Sequence, residues 1–446
     1  MAALLLTSMV WSGHAQEKNE MDLSGEWAFQ TDVMDFRRGS LDVRYCHRLQ
    51  ESIVLPGITD DYKIGYKSPY RHLDRLTRVY EYMGPAWYQR EIEIPAAWKG
   101  KRIFLYFERT HWLSSVYVGK EEVSKIDYIS IPHNHELTQW LHPGKKELIT
   151  FCIDNRYQYD THKWDHAHSE FTQINWNGVL GEIKLVAVDP VYVDDMQVYP
   201  DIKNKSIKVK MTVRNCTEHT ASGKISFHVT GKDYRLQKEV PVTVTDSITY
   251  IEEEMFLGKD IHLWNEFHPN LYTLDCKLTS SVEGQSYAHE KSTTFGMREV
   301  EAGEDHIILN GEPIHLRGTV ENAVFPKTGY APVDDASWER VLRILKEYGM
   351  NHMRFHSWCP PAAAFRMADK LGVYLEVEMP MWGKDAQPDE KRWNFFRREL
   401  RGILKEYGNH PSFILYCNGN EITGDFSFIE ELTAPGRQLG YCRFFR

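Results

Sequence analysis

A glutamate near the C-terminal end of the sequence carries its most specific chemical signal. Residues 413–416 are apolar and β-prone, and the run stops abruptly at Asn418-Gly419-Asn420-Glu421. A carboxylic acid at the end of a buried strand, beside an amide that can hydrogen-bond a hydroxyl, suits the cleavage of a glycosidic bond. One carboxyl group protonates the leaving oxygen and then activates water, while a second carboxylate attacks the anomeric carbon or activates water from the opposite face. Glu421 is therefore the candidate acid/base, and a solvated loop carboxylate is the alternative.

The elements that position this glutamate alternate between strand and helix after Gly296. Periodicity and capping residues predict strands at 314–319, 351–357, 373–380 and 411–418, with helices at 334–349, 360–372 and 392–408. The hexapeptide Ile-Leu-Lys-Glu-Tyr-Gly occurs at 344–349 and again at 403–408, two units of about thirty residues apart. Units of that length are typical of a (β/α)8 barrel, which keeps its chemistry at the C-terminal ends of the strands. A doubly wound sheet is the rival fold, but no glycine-rich phosphate loop follows these strands.

The preceding part of the chain has the signals of β-sandwiches. Between residues 21 and 190, short strands such as those at 87–95 and 102–110 are separated by turn residues, which predicts a jelly-roll sandwich. Between 191 and 295, alternating strands such as 206–215 predict an immunoglobulin-like sandwich. Residues 296–446 then hold the first four strands of a TIM barrel.

Composition excludes several function classes. A formal net charge of −10, with no run of basic residues and no long apolar span, argues against a nucleic-acid partner and against a membrane span. The 7 cysteines are scattered, and no Cys-x-x-Cys occurs, so neither a zinc site nor a disulfide framework is expected. Aromatic residues make up 13% of the chain, which fits sandwich cores as well as surfaces on which sugars stack.

The N-terminus predicts export. Residues 1–16 contain a short apolar stretch followed by small residues before a cleavage site after Ala15. This pattern is typical of a secretory signal peptide and predicts a periplasmic or secreted protein, although the basic residues that usually open such a peptide are missing. A frayed apolar terminus is the alternative.

The order of these domains, followed by Gly419-Asn420-Glu421, resembles glycoside hydrolase family 2, the β-galactosidase, β-glucuronidase and β-mannosidase relatives. The resemblance covers residues 21–425 and includes LSGEW at 23–27, WNGVLGEIKL at 176–185 and the segments 295–319 and 349–383. Residues 317–330 and 354–361 look most like the branch common in gut Bacteroidetes. The resemblance implies a retaining β-galactosidase-like enzyme that hydrolyses terminal β-glycosidic bonds in oligo- or polysaccharides, with a carbohydrate substrate. No cofactor is expected, and although some relatives bind metal ions, no ligand cluster in this sequence requires one.

The resemblance also implies roles for residues. Glu421 would be the acid/base, Asn420 would bind the sugar 2-hydroxyl, and Arg354 would orient the nucleophile and keep it ionised. Further candidates for substrate contacts, each with packing as the alternative, are His356, Trp358, Glu378 and Trp382. Relatives often carry a histidine three residues after the arginine, whereas here Ser357 takes that place. Weaker candidates in the sandwich are His166, His168 and Glu170, and Arg317 is expected in a buried structural ion pair.

In this family the nucleophile ends strand seven, roughly eighty to a hundred and ten residues beyond the acid/base. The chain ends at Arg446, so the nucleophile is expected to be absent and the chain to be a truncated or frameshifted form without activity. Residues 426–446 are expected to begin as a helix that breaks at Pro435-Gly436. An unpaired strand edge predicts association into a homo-oligomer. The alternatives are a non-catalytic carbohydrate-binding protein and a degenerate interaction protein, and the sequence does not decide the sugar.

Overall fold

The computed structural model describes residues 19–34, 49–119, 121–171, 175–383, 389–424 and 426–439. The signal peptide predicted at 1–16 and two of the cysteines, Cys46 and Cys442, lie outside these residues. The described residues are mostly in β-strands, and they fold as two β-sandwiches followed by a parallel sheet with helices. No helix within the described ranges is long and apolar enough to cross a membrane.

The first sandwich packs two antiparallel sheets against each other. One sheet contains β1 (Glu20–Asp22), β4 (Gly57–Ile58), β8 (Arg102–Thr110), β11 (His133–Glu136) and β13 (Gly178–Val188). The other contains β2 (Gly25–Thr31), β3 (Glu51–Leu55), β7 (Pro85–Glu93), β9 (Leu113–Val118), β10 (Glu121–Ile126) and β12 (Lys146–Asp154). A small hairpin pairs β5 (Tyr66–Lys67) with β6 (Tyr80–Glu81), and short 3-10 turns lie at Thr59–Tyr62 and Ala96–Trp98.

Alternation along each strand explains this packing. Strand β8, observed with the predicted bounds, buries Ile103, Leu105 and Phe107 while the residues between them remain partly exposed. The Phe107 ring lies 4.8 Å from that of Phe151 on the opposite sheet. One face of each sheet therefore forms a shared apolar core.

The second sandwich is smaller and follows directly. A three-stranded sheet contains β14 (Val191–Asp201), β15 (Ser206–Asn215) and β18 (Ile248–Phe256). The facing sheet contains β16 (Ala221–Gly231), β17 (Tyr234–Val244), β19 (Tyr272–Val282) and β20 (Gln285–Phe295). Strand β15 has the bounds that alternation predicted. A short antiparallel sheet then leads onward, formed by β21 (Val300–Ala302), β22 (Ile307–Leu309) and β23 (Glu312–Ile314).

The last region is a parallel sheet in the order β24-β25-β26-β27, with helices between the strands. The strands are β24 (Gly318–Glu321), β25 (His352–Phe355), β26 (Tyr374–Glu378) and β27 (Phe413–Cys417). The helices are α1 (Asp335–Glu347), α2 (Ala362–Leu371), α3 (Glu390–Tyr407) and α4 (Phe426–Leu439). Helices α1 to α3 confirm the predicted helices to within three residues at each end, because cap signals such as Asp334, whose side chain accepts from Ser337 N, mark their starts.

Two predictions about this region are wrong. The first parallel strand begins at Gly318 rather than Ile314, since Ile314 pairs in the preceding hairpin and the Arg317 amide donates to the Asn351 side chain at 2.7 Å. Helix α4 continues past Pro435 instead of breaking there. A proline removes one backbone hydrogen bond, which bends a helix more readily than it ends it.

The sandwiches dock on the helices of the parallel sheet through buried polar contacts. Glu399 of α3 is fully buried and accepts hydrogen bonds from the backbone amides of Ile129 (2.8 Å) and Ser130 (3.2 Å) in the first sandwich. The second sandwich meets the same region through Asn409, whose Oδ1 accepts from Val198 N at 2.9 Å. These contacts set where loops of the first sandwich stand relative to the parallel strands.

Candidate active site

The C-terminal ends of three parallel strands bring the predicted polar residues together. Arg354 lies on β25, Glu378 ends β26, and Asn420 and Glu421 follow β27. Gly419 permits this approach, because its φ is +138° and a Cβ there would lie 2.3 Å from the Met381 carbonyl oxygen. The backbone N–H of Asn420 donates a hydrogen bond to that same Met381 carbonyl at 3.0 Å. This bond fixes the segment that carries Glu421 beside the segment that follows β26.

Arg354 is the centre of the polar network. Its Nε donates to Glu378 Oε1 at 2.6 Å and its Nη2 donates to Asn420 Oδ1 at 3.0 Å. The other oxygen of Glu378 accepts from Ser357 N at 2.6 Å, and the Glu378 side chain is fully buried. Burial raises the pKa of Glu378, and the Arg354 guanidinium acts against that rise. Glu378, predicted as a substrate contact, is fully buried and holds Arg354 in this structure.

Glu421, by contrast, is exposed at the end of the sheet. Its Oε2 accepts a hydrogen bond from Trp382 Nε1 at 3.1 Å. Trp382 forms an isolated parallel bridge with Asn420, so the tryptophan and the glutamate stand side by side after neighbouring strands. A solvent-accessible carboxyl group held by one donor can exchange a proton with a bound molecule.

Two histidines from different domains meet beside this carboxyl group. The Nδ1 atoms of His356 and His166 lie 3.0 Å apart, and the His356 ring centroid lies 4.6 Å from that of Trp382. Burial lowers the pKa of His356, and the Arg354 charge lowers it further. Burial likewise lowers the pKa of His166, to about 4, with His356 as the next cause. Both rings are therefore neutral near pH 7 and serve as hydrogen-bonding groups.

The remaining candidates lie away from the exposed carboxyl group. Trp358 is 5% exposed, and its Nε1 donates to the Glu321 carbonyl at 3.0 Å, so the structure places it in the core rather than on a sugar-binding surface. His168 is fully buried beside Asp165. Glu170 lies 3.7 Å from Arg78 in the sandwich. Arg317 pairs with Glu266 at 3.5 Å, but its side chain is 45% exposed, so the expected burial of that ion pair is wrong.

One cluster near the network has the composition of a metal site. Ligand atoms of Glu376, Glu378 and Cys417 lie within 4.8 Å of one another. The Arg354 guanidinium, however, lies 3.8 Å from Glu376 and closer still to Glu378. Burial also raises the pKa of the Cys417 thiol to about 11. The guanidinium supplies the positive charge that these carboxylates need.

A loop of the first sandwich borders the site, and sequence reasoning named His166 in it as a weaker candidate but missed Trp164. Ser357 Oγ accepts from His166 N at 3.0 Å, which ties this loop to the end of β25. Trp164 of the loop is 46% exposed, and its ring centroid lies 6.1 Å from that of Trp382. Three histidines and a tryptophan within residues 162–168 were a usable signal, since such a composition is unusual for a turn between strands.

Comparisons with known proteins agree with this architecture. Residues 191–298 match the family model described as glycosyl hydrolases family 2. The chain is 23% identical over 367 residues to a β-galactosidase of Thermoanaerobacter pseudethanolicus, covering 81% of this chain and 48% of that protein. It is 21% identical to the β-glucuronidase of Sus scrofa, covering 96% of this chain and 67% of the relative.

Solved structures show the same fold. A β-glucuronidase from Bacteroides uniformis superposes with a TM-score of 0.73 at 19% identity, covering 95% of this chain and 50% of the other. A family 2 member from Bacteroides cellulosilyticus superposes with a TM-score of 0.74 at 20% identity, covering 94% and 56%. The chain thus spans about half the length of the first curated relatives it matches, 48% and 52%.

Proposed function

We propose that this chain, which carries a glycosyl hydrolase family 2 domain and has β-glucuronidase and β-galactosidase homologues, acts in the hydrolysis of terminal β-glycosidic bonds with retention of configuration. The observation that carries the proposal is the position of Glu421. Its exposed carboxyl group stands at the C-terminal end of parallel strands, held by Trp382 and one residue after Asn420. This is where an acid can reach the oxygen of a bond being cleaved.

Each residue of the network has a step to perform. Glu421 donates a proton to the glycosidic oxygen and later removes one from water. Asn420 presents its Oδ1 to Arg354, and its side chain also contacts His356, so a sugar hydroxyl would bind its Nδ2 beside that ring. Arg354, anchored on buried Glu378, holds a fixed positive charge that orients the nucleophilic carboxylate and keeps it ionised.

A second carboxylate completes the retaining mechanism. Glu378 is a poor candidate for this role, because its side chain is fully buried behind Arg354. We propose that the four parallel strands belong to a (β/α)8 barrel and that Arg354 orients a nucleophile carried by a later strand. Their parallel order and the helices between them support this proposal.

The proposed domain boundaries follow the architecture of the two sandwiches and the parallel sheet. We propose a signal peptide at 1–16, a jelly-roll sugar-binding domain at 21–190, an immunoglobulin-like domain at 191–295 and the barrel from 296. The apolar N-terminus supports a periplasmic or secreted location. Each outer strand of the described parallel sheet, β24 and β27, pairs on one side only, which supports a homo-oligomer. N-terminal sequencing of the exported protein and light scattering test these two points.

The test of activity uses two proteins: this chain alone and the product of the complete reading frame of its gene. Both are assayed on aryl β-galactoside, β-glucuronide, β-mannoside and β-arabinopyranoside. Hydrolysis of one of them with retained configuration supports the proposal if Glu421→Gln also greatly reduces hydrolysis of a substrate with the same sugar and a poor leaving group. Saccharide binding without hydrolysis by either protein would favour the non-catalytic carbohydrate-binding alternative.

A further inference from the structure

We infer that Trp164 and Trp382 form the subsite that holds the leaving group, and that this leaving group is a sugar ring, so that the substrate is an oligo- or polysaccharide. The inference rests on the proposed function, because it takes Glu421 as the acid. The first sandwich thereby contributes directly to substrate recognition.

The position of Trp382 shows which side of the site receives the leaving group. The acid protonates the oxygen that departs with the leaving group, so groups that contact its carboxyl lie on that side. Trp382 Nε1 is 3.1 Å from Glu421 Oε2. The Trp382 ring is therefore a wall of the leaving-group side rather than of the pocket around Arg354.

Trp164 extends that wall. Its ring meets that of Trp382 edge-on, with an interplanar angle of 70°. Trp164 is 46% exposed and is the most exposed of the tryptophans in the described residues. Lys163 Nζ lies over one face of this ring, 5.1 Å from its centroid, in a cation–π contact. A pyranose can pack its C–H face on an exposed aromatic ring while its hydroxyls accept hydrogen bonds from a neighbouring ammonium group.

The loop that carries Trp164 is held in place by several contacts. Thr161 Oγ1 donates to Asp165 Oδ2 at 2.8 Å, and the amide of Ala167 donates to Asp165 Oδ1 at 3.0 Å. On the side of the parallel sheet, Arg392 Nη1 donates to the Asp160 carbonyl at 3.0 Å. An exposed tryptophan on an anchored loop keeps its conformation before a ligand arrives, so binding orders little that was mobile.

The experiment compares two substrates with the same terminal sugar, a methyl β-glycoside and a β-linked disaccharide, for each sugar of the aryl panel. The protein from the complete reading frame is measured as wild type, Trp164→Ala, Trp164→Phe and Tyr348→Ala. Tyr348 is a matched control, since it is 78% exposed and follows α1 at the opposite end of the sheet. Trp164→Ala is expected to lower kcat/KM for the disaccharide at least tenfold and to leave the methyl glycoside within twofold. Trp164→Phe is expected to retain most of the activity.

An equal loss on both substrates, or no loss on the disaccharide, would overturn the inference. Calorimetric titration of the same disaccharides into Glu421→Gln, with and without Trp164→Ala, gives a second readout that needs no turnover. If disaccharides bind but Trp164→Ala leaves their affinity unchanged, the subsite is wrong whatever the activity. If the disaccharides bind through Trp164 and no substrate is hydrolysed, the proposed function fails and Trp164 is a saccharide-binding residue without a leaving-group role. If no saccharide binds at all, both are rejected.

Discussion

Arg354 Nη2 donates a hydrogen bond to Asn420 Oδ1 at 3.0 Å, joining the end of β25 to the residue before the candidate acid. These two residues are separated by 66 positions in sequence. The contact orients the Asn420 side chain, because its oxygen faces Arg354. It also makes the orientation of the Asn420-Glu421 segment depend on the Arg354–Glu378 pair behind it.

Glu421→Gln removes the proton donor while preserving shape. In the active protein, kcat/KM is expected to fall by roughly 10²–10⁴ for substrates with a poor leaving group. The fall should be much smaller for activated aryl glycosides, because their aryl oxide departs without being protonated. Glu430→Gln is the control, because Glu430 is exposed on α4 and lies outside the network. Equal losses on both substrate classes would contradict the assigned role.

Arg354→Met leaves the fully buried Glu378 without its countercharge. Breaking a buried pair costs about 3–5 kcal/mol, and the 30% exposure of the Arg354 side chain reduces the expected loss of unfolding free energy to about 1–3 kcal/mol. Adding Glu378→Gln should restore part of that loss. Urea unfolding of the two single variants and the double variant measures it, and simple additivity would show that the two residues are not coupled.

Trp382→Phe keeps a ring beside Glu421 but removes its hydrogen-bond donor. A hydrogen bond of this kind contributes about 1 kcal/mol, so kcat is expected to fall about fivefold. Trp393→Phe is a matched control, because its buried Nε1 has no hydrogen-bond partner among the described residues. Steady-state kinetics on the same substrate compare the two, and an equal effect would mean that ring size rather than the donor matters.

Gly419→Ala tests the close approach that sets Glu421 beside Trp382. A methyl group would lie 2.3 Å from the Met381 carbonyl oxygen at a φ of +138°, so both crowding and backbone strain destabilise the variant, by about 2–4 kcal/mol together. Gly311→Ala also has a positive φ, +85°, but nothing lies within 4 Å, and it should cost about 1 kcal/mol. Thermal unfolding distinguishes them, and similar melting temperatures would refute the steric argument.

The contact between the first sandwich and α3 should weaken as the pH rises. Burial raises the pKa of Glu399 from 4.5 to about 7, while backbone and hydroxyl donors of residues 129 and 130 act against that rise. The folded state therefore holds this proton more tightly, and its stabilising effect is complete below pH 4.5 and is lost as the pH rises through about 7. The loss amounts to at most about 3 kcal/mol.

Glu399→Gln removes this titration and should flatten the dependence of the melting temperature between pH 5 and pH 8. Glu321, whose pKa burial also raises to about 7, remains in both proteins and provides a common background. Parallel curves for wild type and variant would show that Glu399 does not titrate in this range.

Local patterns in the sequence predicted much of this molecule. Alternation set strands such as β8 and β15, and cap residues set the helices of the parallel sheet, since both depend on neighbours within a few positions. The same alternation of strand and helix placed Arg354, Asn420 and Glu421 at strand ends, because parallel strands share one direction. Those three residues are close together in the structure for that reason.

Only the tertiary structure decided which remaining side chains face the site. Trp358 follows the end of β25 by three residues, yet it packs into the core. Glu378 is also buried, and its two oxygens accept hydrogen bonds from Arg354 and Ser357. Trp164 and His166 reach the site because the first sandwich docks on α3, and His166 meets Ser357 across 191 positions. Periodicity reports the face on which a residue lies, but docking of separate domains depends on surfaces assembled from distant segments, which no local pattern contains.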